Sequence, residues 1–373
     1  MGIERFDKNF KQSGRIDGDV VYYDGAKPPF DLYGVYYESD KGFMRVPDEV
    51  SKMCNDGVMH LANHTAGGRI KFTTNSSKIG IKVFYKIFYD FGHMPRSGSA
   101  GFTLVDETDG KNLILGICYP AFSKENSIDK YSWNRDMECQ ISLNGSWGSK
   151  GGTRQYCLNM PCYAGVRSVE VALDVGAEVS GGRKYQDGKK VLYYGSSITQ
   201  GGCASRPDNT YQAHISKWTN TDYANLGFSG SARGEKAMAE YLATFDCNVF
   251  VCDYDHNSPS AKELSERHYP FYKAYRAIKK DTPILFVSHP NYDTMGEREK
   301  RIKIIKETVK KAKAEGDNNV YFLNGKYLCG RNYEERTACF VDGLHPTDMG
   351  FYRMAKSIVK ALAKIDKAYE KNK

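Results

Sequence analysis

Residues 191–202 read VLYYGSSITQGG, and the fold turns on what this run is. Val191, Leu192, Tyr193 and Tyr194 form a short apolar block that stops on Gly195, with Ser196 and Ser197 behind it and Gly201-Gly202 closing the segment. Too short for a buried helix and rich in strand formers, the block reads as a strand buried on both faces. Comparable blocks recur at 223–226, 249–252, 284–287 and 320–323, interleaved with helical patterns near 210–219, 261–279, 297–313 and 349–365. Strands alternating with helices predict parallel βαβ units, hence a three-layer α/β/α domain. Ligands in such sheets sit at the carboxyl ends of the strands. The residues after Gly195 are therefore the first place to look for chemistry.

Ahead of this run the period is different. From about Gly18 to Val179 the chain shows short alternating segments such as 70–72, 79–83 and 169–173. Gly67-Gly68, Asp109-Gly110, Asn144-Gly145 and Gly151-Gly152 separate them, as tight turns require. Period-two runs at regular spacing predict an all-β sandwich. The polar, glycine-rich stretch 179–188 marks the boundary, so we expect an accessory β-domain over residues 1–182 and an α/β domain over residues 183–373. A chain of 373 residues is also longer than one typical core, which suits two domains.

Composition narrows the function classes. The formal charge of +8 is concentrated in lysines of 297–313, where Ile302, Ile305, Val309 and Ala312 keep an apolar stripe and Glu297, Glu299 and Glu307 are mixed in. That is the pattern of a solvated helix face, and no aromatic-interleaved basic motif accompanies it, so no nucleic-acid partner is expected. The 27 tyrosines suit a polar-aromatic cleft such as a sugar site, although tyrosine also favours strands. Ten scattered cysteines include no Cys-x-x-Cys and read as buried thiols, not as a zinc ribbon or a disulfide scaffold. The N-terminus lacks an apolar signal core, Phe6 occupies the position where a myristoylation site needs Ser or Thr, and no stretch is long enough for a bilayer. These features read as a cytoplasmic protein with no membrane partner.

The strand ends carry the chemistry. Gly195-Ser196-Ser197 is not a phosphate loop, a dinucleotide fingerprint or a Gly-x-Ser-x-Gly elbow, and taken alone such a strand end is more commonly a helix cap than a nucleophile. The second strand ends on 225–230, Asn-Leu-Gly-Phe-Ser-Gly; the third ends on 253–257, Asp-Tyr-Asp-His-Asn. Val341-Asp342-Gly343-Leu344-His345-Pro346 precedes the last helix, and the three-residue spacing lets Asp342 reach the imidazole of His345. Together these supply an acyl-transfer site. Ser197 attacks, His345 moves the proton, and Asp342 fixes its tautomer. The backbone N–H groups of Ser197 and Gly230 and the amide of Asn257 form the oxyanion hole. Asp253, Asp255 and His256 are the alternative as metal ligands, but alternate side chains of an extended run diverge, so no metal and no cofactor is expected.

In these four blocks, taken in order, the chain resembles the SGNH (GDSL-type) esterase superfamily. The resemblance implies a flavodoxin-like hydrolase domain and the roles just given to Ser197, Gly230, Asn257, Asp342 and His345. Phe30-Asp31-Leu32-Tyr33 and residues 64–70, His-Thr-Ala-Gly-Gly-Arg-Ile, resemble the GxDLY domain that precedes some SGNH hydrolases, with Pro29 where its first glycine would stand. That likeness implies a jelly-roll-like sandwich. One departure is Gly-Ser-Ser in place of Gly-Asp-Ser; on the family register Ser197 faces the crevice and Ser196 turns back toward the sheet. His256 and His289 are candidates for substrate contact, and Trp133 and Trp147 for sugar stacking or sandwich packing. His64 reads as a turn histidine and Cys203 as a bystander. The expected activity is a serine esterase acting on a small-molecule or oligosaccharide ester, most naturally an O-acetyl sugar. An acyltransferase, a lipase or thioesterase, and a sugar-binding protein with an idle hydrolase domain are the competing readings.

Overall fold

A computed structural model of the chain describes residue 6 and residues 16–120, 135–143, 152–290, 296–330 and 332–372. Trp133, Trp147 and the turns at Asn144-Gly145 and Gly151 lie outside the described residues.

The N-terminal half folds into two antiparallel sheets. One runs in the order Val20–Asp24, Gly165–Asp174, Lys78–Ile87, Arg135–Ser142. The other runs Val179–Gly181, Arg69–Thr74, Arg154–Asn159, Phe102–Asp106, Leu113–Cys118, with Asp31–Tyr33 also paired to Arg69–Thr74. Alternation decides which side chains face inward: Ile79, Ile81 and Val83 from the first sheet meet Ile70, Phe72, Leu104 and Leu158 from the second in one core. At one edge of this sandwich Cys118 and Cys139 are joined as a disulfide. This corrects the expectation of thiols throughout. The two cysteines sit on edge strands of different sheets, a proximity that spacing along the chain does not carry.

The C-terminal half is a five-stranded parallel sheet: Lys190–Gly195, Asp222–Gly227, Val249–Asp253, Ile284–Val287 and Val320–Leu323. Its spatial order places the second strand first, then the first, third, fourth and fifth. That is the flavodoxin-type order. The opening run behaves as its composition demands: Leu192 and Tyr194 pack into the core on one face of the sheet, Val191 and Tyr193 into the core on the other. Helices Tyr211–Thr219, Ala261–Ile278, Arg298–Ala314 and Asp348–Asn372 fall where the stripes predict. The helix Lys236–Leu242 was not legible, because seven residues hold too few turns for a period to show. None of the described helices is long and apolar enough to cross a membrane.

Register sets up the site. Gly195 pairs with Gly227 on one side and with Asp253 on the other, so three strand ends stop at one level. The β-domain grips that edge. Arg45, 2% exposed, donates from Nη1 to the carbonyls of Asn225 (3.0 Å) and Gly227 (2.7 Å), from Nε to His64 O (2.8 Å) and from Nη2 to Leu61 O (2.6 Å). Burial pulls its pKa down to about 9, and four carbonyl dipoles plus the Phe228 ring, 4.8 Å away, offset the cost of a desolvated cation. Arg69, from the 64–70 block, reaches Asp222 (3.1 Å) and Tyr223 O (2.6 Å). A Cβ on Gly67 would stand 2.7 Å from that of Asn225, so glycine permits the close approach. Asp31 accepts from Gly182 N (2.8 Å) and pairs with Lys184, fastening the segment between the halves.

Candidate active site

The first strand ends on glycine for a steric reason. A Cβ at Gly195 would lie 1.6 Å from Asp253 Oδ1 and 2.2 Å from Thr199 Oγ1. The chain then turns into the four-residue helix Ser197–Gln200. Ser196 Oγ accepts from Ile198 N (3.2 Å), so this serine is the helix cap, not a group turned into the sheet. The capping reading of the Ser-Ser pair thus falls to Ser196 and leaves the Ser197 hydroxyl out of the cap.

Ser197 Oγ lies 2.9 Å from His345 Nε2, and His345 Nδ1 lies 2.7 Å from Asp342 Oδ2. Gly343, at φ +79°, makes the turn that lets Asp342 Oδ1 accept also from His345 N (2.7 Å) and Leu344 N (3.0 Å). Partial burial works against the charge on Asp342, but these donors outweigh it and hold the carboxyl down at about 2. An ionised carboxylate only accepts, so Nδ1 of His345 carries the hydrogen and Nε2 presents its lone pair to the Ser197 hydroxyl. The geometry is that of a serine primed by a histidine.

The other strand ends close around it. Gly230 has φ +66° and open space where a side chain would be. Asn257 Nδ2 donates one hydrogen to Phe228 O (2.8 Å) and keeps a second. Ser229 N donates to Gln200 Oε1 (2.9 Å), while Gln200 Nε2 donates to Cys162 O (3.1 Å) and faces His64 Nδ1 at 3.1 Å. An amide nitrogen only donates, so His64 accepts at Nδ1 and is neutral; burial, then Arg45, hold its pKa well below the ordinary value. His64 is thus no turn histidine: it is 1% exposed and braces the glutamine that holds Ser229 N. Tyr163, also from the β-domain, donates to Ser197 O (3.2 Å).

The remaining candidates separate. Asp255 pairs with His289, Oδ2 to Nδ1 at 2.8 Å and Oδ1 to His289 N at 3.1 Å, and His289 is 3% exposed. The ring of His256, 4.9 Å from that of His289, is half-buried. Burial, then His289, push His256 down to about 4, so it is neutral. Asp253 instead accepts from Thr199 Oγ1 and from Tyr211 OH (3.3 Å), and burial pushes it up to about 8. The two aspartates thus face different partners and do not converge. Gln200, Arg45 and Tyr163 escaped the sequence reading, and His64 was misread, because each has a partner in the other half of the chain. An aromatic segment of the β-domain also reaches the site: the His93 ring is 5.7 Å from that of His345, and Phe91 packs on Tyr163 at 5.8 Å.

Comparison with known proteins agrees with this architecture. Residues 188–363 match the GDSL-like lipase/acylhydrolase family, and residues 20–179 match the GxDLY family, the N-terminus of SGNH-hydrolase-type esterases. No curated protein matches the chain. A GDSL-like lipase from Bacteroides ovatus ATCC 8483 is 28% identical with a TM-score of 0.81, over 94% of this chain and 98% of its own. A salicylyl-acyltransferase from a tetracycline biosynthetic pathway is 18% identical with a TM-score of 0.73, over 93% and 98%. An acetyl xylan esterase from Butyrivibrio proteoclasticus is 13% identical with a TM-score of 0.59, over 94% and 100%. The chain is a member of the SGNH/GDSL-type esterase superfamily with an N-terminal GxDLY domain.

Proposed function

We propose that the protein is a serine esterase that cleaves small acyl esters through an acyl-enzyme on Ser197, with O-acetyl groups on carbohydrate as the substrate class. The observation that carries this is the hydrogen-bonded chain from Asp342 through His345 to Ser197. Ser197 Oγ attacks the ester carbonyl as its proton passes to His345 Nε2. The oxyanion takes hydrogen bonds from Ser197 N, Gly230 N and the second hydrogen of Asn257 Nδ2, each such donor typically lowering the barrier by about 2.7–4 kcal/mol. His345 then protonates the leaving alcohol and deprotonates the water that releases the acid. Asp342, ionised down to about 2, stabilises the imidazolium between these steps.

A small acyl group is favoured by the setting of Ser197, 7% exposed beside Tyr163 with Met94, Cys162 and Cys203 packed around that tyrosine. The fold shared with an acetyl xylan esterase and with family two carbohydrate esterases supports a sugar ester. The fold shared with the salicylyl-acyltransferase supports a second reading, in which an alcohol replaces water. Acetate release from O-acetylated xylo- and manno-oligosaccharides, with and without an added alcohol acceptor, tests both. Hydrolysis faster than transfer is expected. Acylated acceptor outpacing acetate overturns the hydrolase assignment, and inertness toward every acetylated sugar alongside turnover of p-nitrophenyl acetate overturns the sugar assignment.

A further inference from the structure

We propose that His93, Cys203 and His345 form a binding site for a borderline-soft divalent ion, zinc foremost, and that its occupation switches the enzyme off. One ligand atom from each of the three lies within 4.8 Å of the other two. They come from three places: His93 from the aromatic segment of the β-domain, Cys203 from the loop after the nucleophile helix, His345 from the last loop. A thiolate with two imidazoles is a zinc donor set, whereas magnesium and calcium take oxygen. In a tetrahedral site with bonds of about 2.0–2.3 Å the donor atoms stand roughly 3.3–3.7 Å apart. The cluster therefore has to tighten by about an ångström, and His93 is its exposed member. Cys203 does not move as easily: it is 5% exposed and held at φ +71°, where few residues other than glycine sit.

His345 is already set up as a ligand. Its Nδ1–H is committed to Asp342 at 2.7 Å, the carboxylate–histidine arrangement that orients metal-bound imidazoles. Nε2 then offers the only lone pair on the ring, the same one that faces Ser197 Oγ at 2.9 Å. On binding, the hydrated ion gives up waters, Cys203 releases its thiol proton to solvent, and the sulfur and two imidazole nitrogens each donate a pair to the metal. The Ser197 proton then has no acceptor, and attack stops. The inhibitory consequence rests on the serine-esterase reading; the binding does not.

Cobalt(II) titrated into the full chain reports the site directly, because a thiolate bound to cobalt adds a charge-transfer band in the near ultraviolet. The wild type and Ser197→Ala are expected to show the band, zinc to abolish it, Cys203→Ser to lack it and His93→Ala to need at least tenfold more cobalt. In ester hydrolysis, zinc is expected to inhibit the wild type, EDTA to restore full rate, and both Cys203→Ser and His93→Ala to need at least tenfold more zinc for half-inhibition. A wild type without the band, or a band unchanged in Cys203→Ser, overturns the site whatever the activity. Equal zinc sensitivity of wild type and both variants overturns the switch. A protein with the band but inert toward all esters retains the metal site and fails only the catalytic reading.

Discussion

Ser196 and Ser197 are neighbours with the same side chain and different work. Ser196 satisfies Ile198 N at the start of a four-residue helix, and Ser197, one residue on, meets His345. Ser196→Ala is expected to lose a cap worth about 0.5–2 kcal/mol while keeping most of the activity. Chemical denaturation together with ester hydrolysis checks this; a variant of full stability but no activity would move the nucleophile to Ser196. The missing carboxylate of the usual Gly-Asp-Ser is thereby explained as a capping position that serine fills equally well. The pairing of Asp342 with His345 was legible because a three-residue interval sets it, and Gly343 makes the turn that interval needs. His64 was misread for the opposite reason: its partner, Gln200, is 136 residues away.

At the scale of elements, the level strand ends explain both a stability term and a catalytic one. Asp253 closes the third strand against Gly195, and burial raises its pKa to about 8 from an unfolded value of about 3.9. Between those values the native state holds a proton that the unfolded chain has released. Its contribution to stability is therefore full below about 4 and is lost as pH rises through about 8. Melting temperatures at pH 5 and pH 9 are expected to fall further in the wild type than in Asp253→Asn, which cannot ionise; parallel falls would contradict the buried neutral acid.

The helix Ser197–Gln200 ends on the residue that holds Ser229 N, so Ser197 and the 228–230 loop are tied together by one side chain. Gln200→Ala and His64→Ala are each expected to lower kcat about ten- to a hundredfold with little change in KM, less than the about 10²–10³ of deleting an oxyanion donor. A change confined to KM would show that these residues shape binding instead. The alternation of strands and helices was legible because both sheet faces are covered, which forces continuous apolar runs. The helix Lys236–Leu242 and the Cys118–Cys139 bridge were not, one for its length and the other because it joins two sheets.

Across the whole molecule, the β-domain is built into the catalytic edge. Arg45 binds the carbonyls of Asn225 and Gly227, Arg69 binds Asp222 and Tyr223, and His93 and Tyr163 stand at His345 and Ser197. The residues that resemble the GxDLY pattern do the joining: Asp31 ties down Gly182, and Gly67 permits contact with Asn225. The Arg45 contacts were not readable from composition, since an arginine satisfied by carbonyls leaves no charged partner in the sequence to find. Two halves with separate periods are visible in the chain, but the site they share appears only when both are folded together. The central claim, that Ser197 is acylated, is tested most directly by reacting the full chain with an activated organophosphonate ester and mapping the adduct by peptide mass spectrometry. One equivalent on Ser197, lost in Ser197→Ala and slowed by Asp342→Asn, is the expected result. Label on Ser196, or no covalent adduct on a protein that still hydrolyses esters, would contradict it.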